Sequence, residues 1–268
     1  MVLFFTLVTT LGPAFAEDSN DKFDLNIDKE YFKGYLTDGK SIVTSPARFG
    51  RDEWIKASLV LGGTVALYLF DDNIQDWTQD NKDSASEDIS TFAEHFGDGL
   101  YLLGGMGGFY LLGQATKDVR ANRTALLGLE SFVITGLITQ VFKFSFHRHR
   151  PKSGDSYDTW DGPSLDSDHL SFTSGHSAVA WSLATVVASE YKETRFVAPI
   201  AYTLATLASL SRVHDNKHWA SDVFAGAALG YFTSKAIIAY HPRGTENTVR
   251  LLPEINEDGV KLTLNYRF

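Results

Sequence analysis

The chain has 268 residues, 44% of them hydrophobic and 13% aromatic, enough to bury the core of one large domain and to exclude wholesale disorder. Its formal net charge of −9 excludes the basic face that a nucleic-acid binder needs, so no nucleic-acid partner is expected. Cysteine is absent, which excludes thiol nucleophiles, disulfides and zinc–thiolate sites.

The first residues, MVLFFTLVTTLGPAFA, are apolar and end in an A-x-A pattern ahead of the polar EDSNDK. This predicts a secretory signal over 1–16, without the usual basic start. Residues 17–50 are polar and turn-rich and are expected to drape as an extension over the main domain. Six apolar segments with helical character follow, at 52–70, 98–116, 122–146, 175–191, 195–212 and 221–240. An acidic stretch, DDNIQDWTQDNKDSASEDIS, is expected as a loop between the first two. A second polar loop, RPKSGDSYDTWDGPSLDSDHLSF, joins the third and fourth. After residue 242, TVRLLPEI and VKLTLNYRF alternate with period two around NEDG, which predicts a β-hairpin. The expected fold class is therefore all-α: a bundle of about six core helices over 51–242 with its active site at one end, and a hairpin over 243–268. The hairpin's aromatic end resembles the last strand of outer-membrane barrels, but one hairpin cannot close a barrel.

A membrane span needs about 20 mainly apolar residues. Uninterrupted by charge, Ala57–Phe70, Ser131–Phe142, Ser177–Ser189 and Val223–Ser234 are shorter than that; only Gly99–Thr116 is long enough, and it is rich in glycine. With a cleaved signal, the acidic first connection would also face the cytoplasm with Lys82 as its only Lys or Arg, against the positive-inside tendency. These points favour a soluble or peripheral bundle in the periplasm or cell envelope that contacts a membrane surface. An integral membrane protein is the alternative.

Three polar clusters interrupt the apolar pattern, each at a helix end. KFSFHRHRP closes the third segment, TSGH opens the fourth, and SRVHDNKHWASD joins the fifth to the sixth. In an antiparallel bundle the 3–4 and 5–6 connections lie at the same end, so these distant stretches are expected to converge. Lys143, Arg150 and Arg212 would bring three cations, the arginines able to grip a tetrahedral oxyanion through two bonds. Three clustered cations would repel one another, so the site should take up a multiply charged anion. Ser174 and Gly175 precede a helix, where backbone amides and the positive end of the dipole suit an anion. His176 and His218 can divide the roles of nucleophile and proton donor. Asp222, one helical turn beyond His218, can fix its tautomer. This equipment suits phosphoryl transfer without a metal.

The ordered set Lys143…Arg150-Pro151, Ser174-Gly175-His176 and Ser211-Arg212…His218…Asp222 resembles the phosphatidic acid phosphatase type 2 / vanadium haloperoxidase superfamily. The likeness covers residues 125–240 well and the flanks hardly at all. It implies that His218 attacks phosphorus to form a phosphohistidine, oriented by Asp222, and that His176 protonates the leaving oxygen and then activates water. Lys143, Arg150, Arg212, Ser174 and the Gly175 amide would hold the phosphoryl oxygens. No cofactor is expected, although vanadate or phosphate would fit the same cage. One departure is Thr173, where the family usually has proline, a change of turn rigidity and not of chemistry.

The expected partner is a phosphorylated small molecule or lipid, with oligomeric state open. The alternatives are a vanadate-dependent haloperoxidase and a non-catalytic envelope binding protein. His214, His218 and Asp222 also have the spacing of metal ligands on one helical face, although nearby cations disfavour a divalent ion. His214 is otherwise a bystander, and His147, Arg148 and His149 are expected at the rim. The loop between segments three and four is expected in solvent or as a lid.

Overall fold

The structure is a computed structural model that describes residues 27–167 and 169–242 in full, together with the backbone of strands at 249–256 and 259–266. The expected signal segment at 1–16 lies outside the described residues.

The polar, turn-rich extension expected to drape over the main domain contains a helix, α1 (Lys29–Thr44). Asp28 starts it by accepting the amides of Glu30 and Tyr31 at 2.9 and 3.0 Å. Two side chains hold α1 to the bundle. The Tyr31 hydroxyl donates to the Leu126 carbonyl at 3.0 Å, and His241 Nε2 lies 2.8 Å from Asp38 and 3.5 Å from Glu130. Burial opposes charge on His241, but the two carboxylates outweigh it and push the imidazole up to about 9.

Next come α2 (Arg51–Tyr68) and α3 (Asp71–Asp80), bent by 57° at the break between them. Then α4 (Ser84–Glu94) opens on a capping box, with Asp83 Oδ1 accepting the Ser86 amide at 2.8 Å and Ser86 Oγ accepting the Asp83 amide at 3.0 Å. The acidic stretch expected as a loop is thus two short helices whose few apolar side chains share a face.

The remaining helices fall close to their expected places: α5 (Gly99–Thr116), α6 (Val119–Phe146), α7 (Gly175–Glu190), α8 (Val197–His214) and α9 (Ala220–Tyr240). Helix α7 is the central post, packed against α6, α8 and α9, with Trp181, Tyr202 and Tyr231 in the core around it. Two glycines let α9 cross α7 with backbones nearly touching. A Cβ at Gly226 would lie 2.5 Å from the Ser174 carbonyl oxygen, and one at Gly230 would lie 2.0 Å from that of Ala178. The hairpin pairs antiparallel, β1 (Val249–Asn256) with β2 (Gly259–Tyr266), as its alternation predicts.

Length does not exclude membrane spans. Among the described residues α6 and α9, at 28 and 21 residues, are long and apolar enough to cross a membrane, and the bent pair α2–α3 would make a third. Gly99–Thr116, the one stretch expected to be long enough, is not apolar enough. Counting charge-free runs failed because the interrupting charges face inward. Glu130 and Lys143 on α6 are 1% and 6% exposed, and an ionised group paired inside a bundle does not bar a span. Large apolar side chains face outward instead, including Leu59, Leu61, Leu137 and Val141.

Candidate active site

The three polar clusters do meet at one end of the bundle. The last turns of α6 deliver Lys143, whose Nζ donates to the Leu170 carbonyl. Arg150 Nη2 reaches the same oxygen at 3.3 Å, so the end of the 3–4 connection enters the site instead of lying in solvent. A Cβ on Gly175 would sit 4.0 Å from Lys143 Cε, which places the first turn of α7 beside this cation pair. Ser174 caps α7, accepting the Ser177 amide at 3.5 Å. Its own amide donates to the Asp222 carbonyl at 3.0 Å. The Ser174 amide is therefore committed to α9, and the first-turn amides of Gly175 and His176 are those oriented for an anion.

The four-residue repeat His214–His218–Asp222 is not one helical face. Helix α8 ends at His214, the chain turns through Asn216 at φ 61°, and α9 begins only at Ala220. His214 instead faces Asp215 and Ser86, at 3.2 and 3.3 Å. Asp222 lies in the first turn of α9, where its Oδ2 accepts the Trp219 amide at 3.0 Å. His218 Nδ1 is 3.8 Å from that oxygen, beyond a hydrogen bond. Ser171 fills the gap: its Oγ donates to Asp222 Oδ2 and lies 3.4 Å from His218 Nδ1. Burial above all holds His218 down to about 3, with Lys143 and Arg150 adding to it and Asp222 opposing. A ring held so low is neutral, the state in which an imidazole can act as a nucleophile. Burial, and then Arg212, also push His176 down to about 4, so donation by this ring calls for the charge of a bound phosphate to raise it.

The cation cage is less bare than expected. Arg212 Nη2 is paired with Glu94 at 2.7 Å and Asp215 at 2.9 Å, and Lys217 reaches Glu94 at 3.3 Å. Arg212 holds the Glu94 carboxyl below its usual range, although partial burial opposes this. Glu94 stands near the end of α4, just before Gly97, where a Cβ would lie 3.0 Å from His176 Cβ.

Of the residues expected at the rim, His147 and Arg148 are buried. His147 is 2% exposed, with Nε2 at 2.9 Å from the Asp166 carbonyl. Arg148 is fully buried, and only His149 is partly exposed, stacked on His169 at 3.6 Å between ring centroids. All five N–H groups of Arg148 find acceptors. Nη1 donates to Asp222 and Ser221, each at 2.7 Å, and Nη2 to Asp71 at 2.7 Å and Tyr157 O at 2.8 Å. Nε donates to Tyr157 O at 3.0 Å. The rings of Trp160, Tyr68 and Trp219 enclose the guanidinium at 4.9 to 5.4 Å. Arg148, Ser171 and Asp71 were all missed as site residues. The one available signal was an arginine two residues before Arg150 at a helix end.

Residues 124–246 match the family model described as the PAP2 superfamily. This segment belongs to that superfamily. The fold is shared with two solved structures. A transmembrane PAP2-type phosphatidylglycerolphosphate phosphatase of Bacillus subtilis superposes with a TM-score of 0.51 at 21% identity, covering 79% of this chain and 94% of that one. Aquifex aeolicus LpxE superposes with a TM-score of 0.50 at 19% identity, covering 64% and 94%. Among curated proteins, a lipid A 1-phosphatase of Porphyromonas gingivalis is 36% identical over 98 residues, 36% of this chain and 19% of that protein. A PA-phosphatase related-family protein of Dictyostelium discoideum is 28% identical over 137 residues, 46% and 49% of the two chains. The chain thus spans about a fifth of the first curated relative and about half of the second. Asp71 and Glu94 both lie outside the PAP2 segment.

Proposed function

We propose that this protein is a phosphatase that removes the terminal phosphate of lipid phosphomonoesters or pyrophosphates at a membrane, through a phosphohistidine on His218. The observation that carries this reading is the meeting of Lys143, Arg150, His218 and the Ser174–His176 turn at one end of a bundle whose outer faces are apolar. The names of the relatives, a lipid A 1-phosphatase and a phosphatidylglycerolphosphate phosphatase, support a lipid phosphate as substrate. Helices α6 and α9 would cross the membrane.

In this scheme Lys143, Arg150, Arg212 and the Gly175 amide bind the phosphoryl oxygens and offset their charge. With Nδ1 turned to Ser171 and Asp222, Nε2 of His218 attacks phosphorus. The P–O bond to the lipid breaks as His176 gives its proton to the leaving oxygen. His176 then takes a proton from water, whose oxygen attacks phosphorus, breaking the P–N bond and releasing phosphate. No metal is needed at any step.

The test is phosphate release by the purified full chain from phosphatidic acid in mixed micelles and from para-nitrophenyl phosphate, with EDTA present. The expected outcome is release that vanadate inhibits, with protein denatured in alkali during turnover carrying labelled phosphate on a histidine. Release that depends wholly on an added divalent metal would sink the proposal. Peroxide-driven halide oxidation after vanadate loading would favour the haloperoxidase instead.

A further inference from the structure

The geometry points to Asp71 as a positioning residue for the nucleophile, acting through Arg148 and Asp222 on His218, an inference that rests on His218 being the nucleophile. The chain of contacts is continuous and dry. Asp71 and Arg148 have fully buried side chains, as does Asp222. Asp71 Oδ2 accepts from Arg148 Nη2 at 2.7 Å, and Arg148 Nη1 donates to Asp222 Oδ1 at 2.7 Å. Ser221 ties the two ends together, its Oγ meeting both Arg148 and Asp71 while its amide donates to Asp71 Oδ1 at 2.9 Å.

Asp71 opens α3, directly after the bend from α2. It reaches Arg148 across 77 positions and Ser221 across 150, and it lies outside the PAP2 segment. A helix that the family match does not include therefore supplies one end of the network behind the nucleophile.

Charge explains why a second carboxylate is useful there. Arg148 alone against Asp222 would quench the carboxylate that must steady His218 as positive charge develops on its ring. Asp71 takes up the other side of the same guanidinium, so the enclosed set Asp71–Arg148–Asp222 keeps one net negative charge. The further groups around His218 are Lys143 from α6, Arg150 from the connection and the uncharged Ser171. Among these, Asp222 alone can offset a positive imidazole. The fork also fixes direction: a guanidinium clamped on both sides leaves Asp222 one position, with Oδ2 turned to Ser171 and the Trp219 amide.

Two variants of the full chain, assayed on para-nitrophenyl phosphate and on phosphatidic acid micelles, test this role. In Asp71→Asn, of nearly the same shape, Arg148 is left to Asp222 alone. Its kcat is expected to fall about tenfold, with KM and inhibition by inorganic phosphate within about twofold, because the groups that hold phosphate are untouched. The double variant Asp71→Asn/Arg148→Met removes one charge of each sign and so preserves the buried net charge. Asp222 then acts on His218 unshared, and the acid limb of kcat/KM should move up by about one pH unit or more.

Wild-type kcat and an unmoved acid limb in both variants would overturn the inference. So would losses that merely track the folded fraction, measured by thermal melting, with the limb in place. His218→Ala separates the two readings. If it keeps its activity, the nucleophile assignment itself is wrong; if it is dead while both variants behave as wild type, only the role of Asp71 fails.

Discussion

Ser171 stands between His218 and Asp222: its Oγ is 3.4 Å from His218 Nδ1 and bonds Asp222 Oδ2, while Nδ1 is 3.8 Å from that oxygen. The hydroxyl relays to the ring what the carboxylate cannot reach directly. Ser171→Ala is expected to lower kcat about tenfold and leave KM within about twofold, since no phosphate contact is lost. Steady-state kinetics on para-nitrophenyl phosphate measure both.

The two histidines of the SRVHDNKHWASD stretch should separate cleanly. His218→Ala is expected to lower turnover by at least about a thousandfold, as removal of a nucleophilic group does elsewhere. His214→Ala should keep most of the activity, because that ring faces Ser86 and Asp215. Comparable losses in both would mean that the turn between α8 and α9 is arranged otherwise.

Glu94 is expected to compete with substrate for Arg212. Its carboxylate is 31% exposed and sits 2.7 Å from a guanidinium only 3% exposed, a pairing worth up to about 1 kcal/mol. Glu94→Gln is expected to tighten inhibition by inorganic phosphate by up to about fivefold, more at low salt than at high. Competitive inhibition constants at two ionic strengths check this; weaker phosphate binding would assign Glu94 to substrate contact instead.

Two histidines, His218 buried and His241 half-buried, are expected to bracket the pH range of greatest stability. His241 is held above its unfolded value, at about 9, so the stability it contributes is complete below about 6.5 and lost as pH rises through 9. His218 is held below its unfolded value, at about 3, so its contribution is complete above about 6.5 and lost as pH falls toward 3. Thermal melting across pH should fall away on both sides, and Asp38→Asn should flatten the alkaline side alone.

The helices that were legible in the sequence are those with long apolar runs, α2 and α5–α9, because such runs must be buried or face lipid whatever their neighbours do. Helices α1, α3 and α4 were not, since they place few apolar residues among many charges: α3 has only Ile74 and Trp77. The caps of α1 and α4, Asp28 and Asp83, were the readable signs. The motif residues came together as their spacing at helix ends implies. Arg148 did not declare itself, because its partners Asp71 and Asp222 lie 77 and 74 positions away and only the folded chain brings them near. Ser171 was hidden for the same reason. The spacing of His218 and Asp222 suggested a direct contact on a continuous helix, which the break at 215–219 replaces with a hydroxyl bridge.

The carboxylate of Asp222 starts α9 by accepting the Trp219 amide, and with the same oxygen it meets the hydroxyl that orients His218. Laying down the first turn of that helix and holding the ring proposed to attack phosphorus are consequently a single event. On the proposed mechanism, fraying of that turn would silence turnover while nearly all of the fold survives. Turnover is then a more sensitive gauge of order at this one helix start than any measure of overall structure.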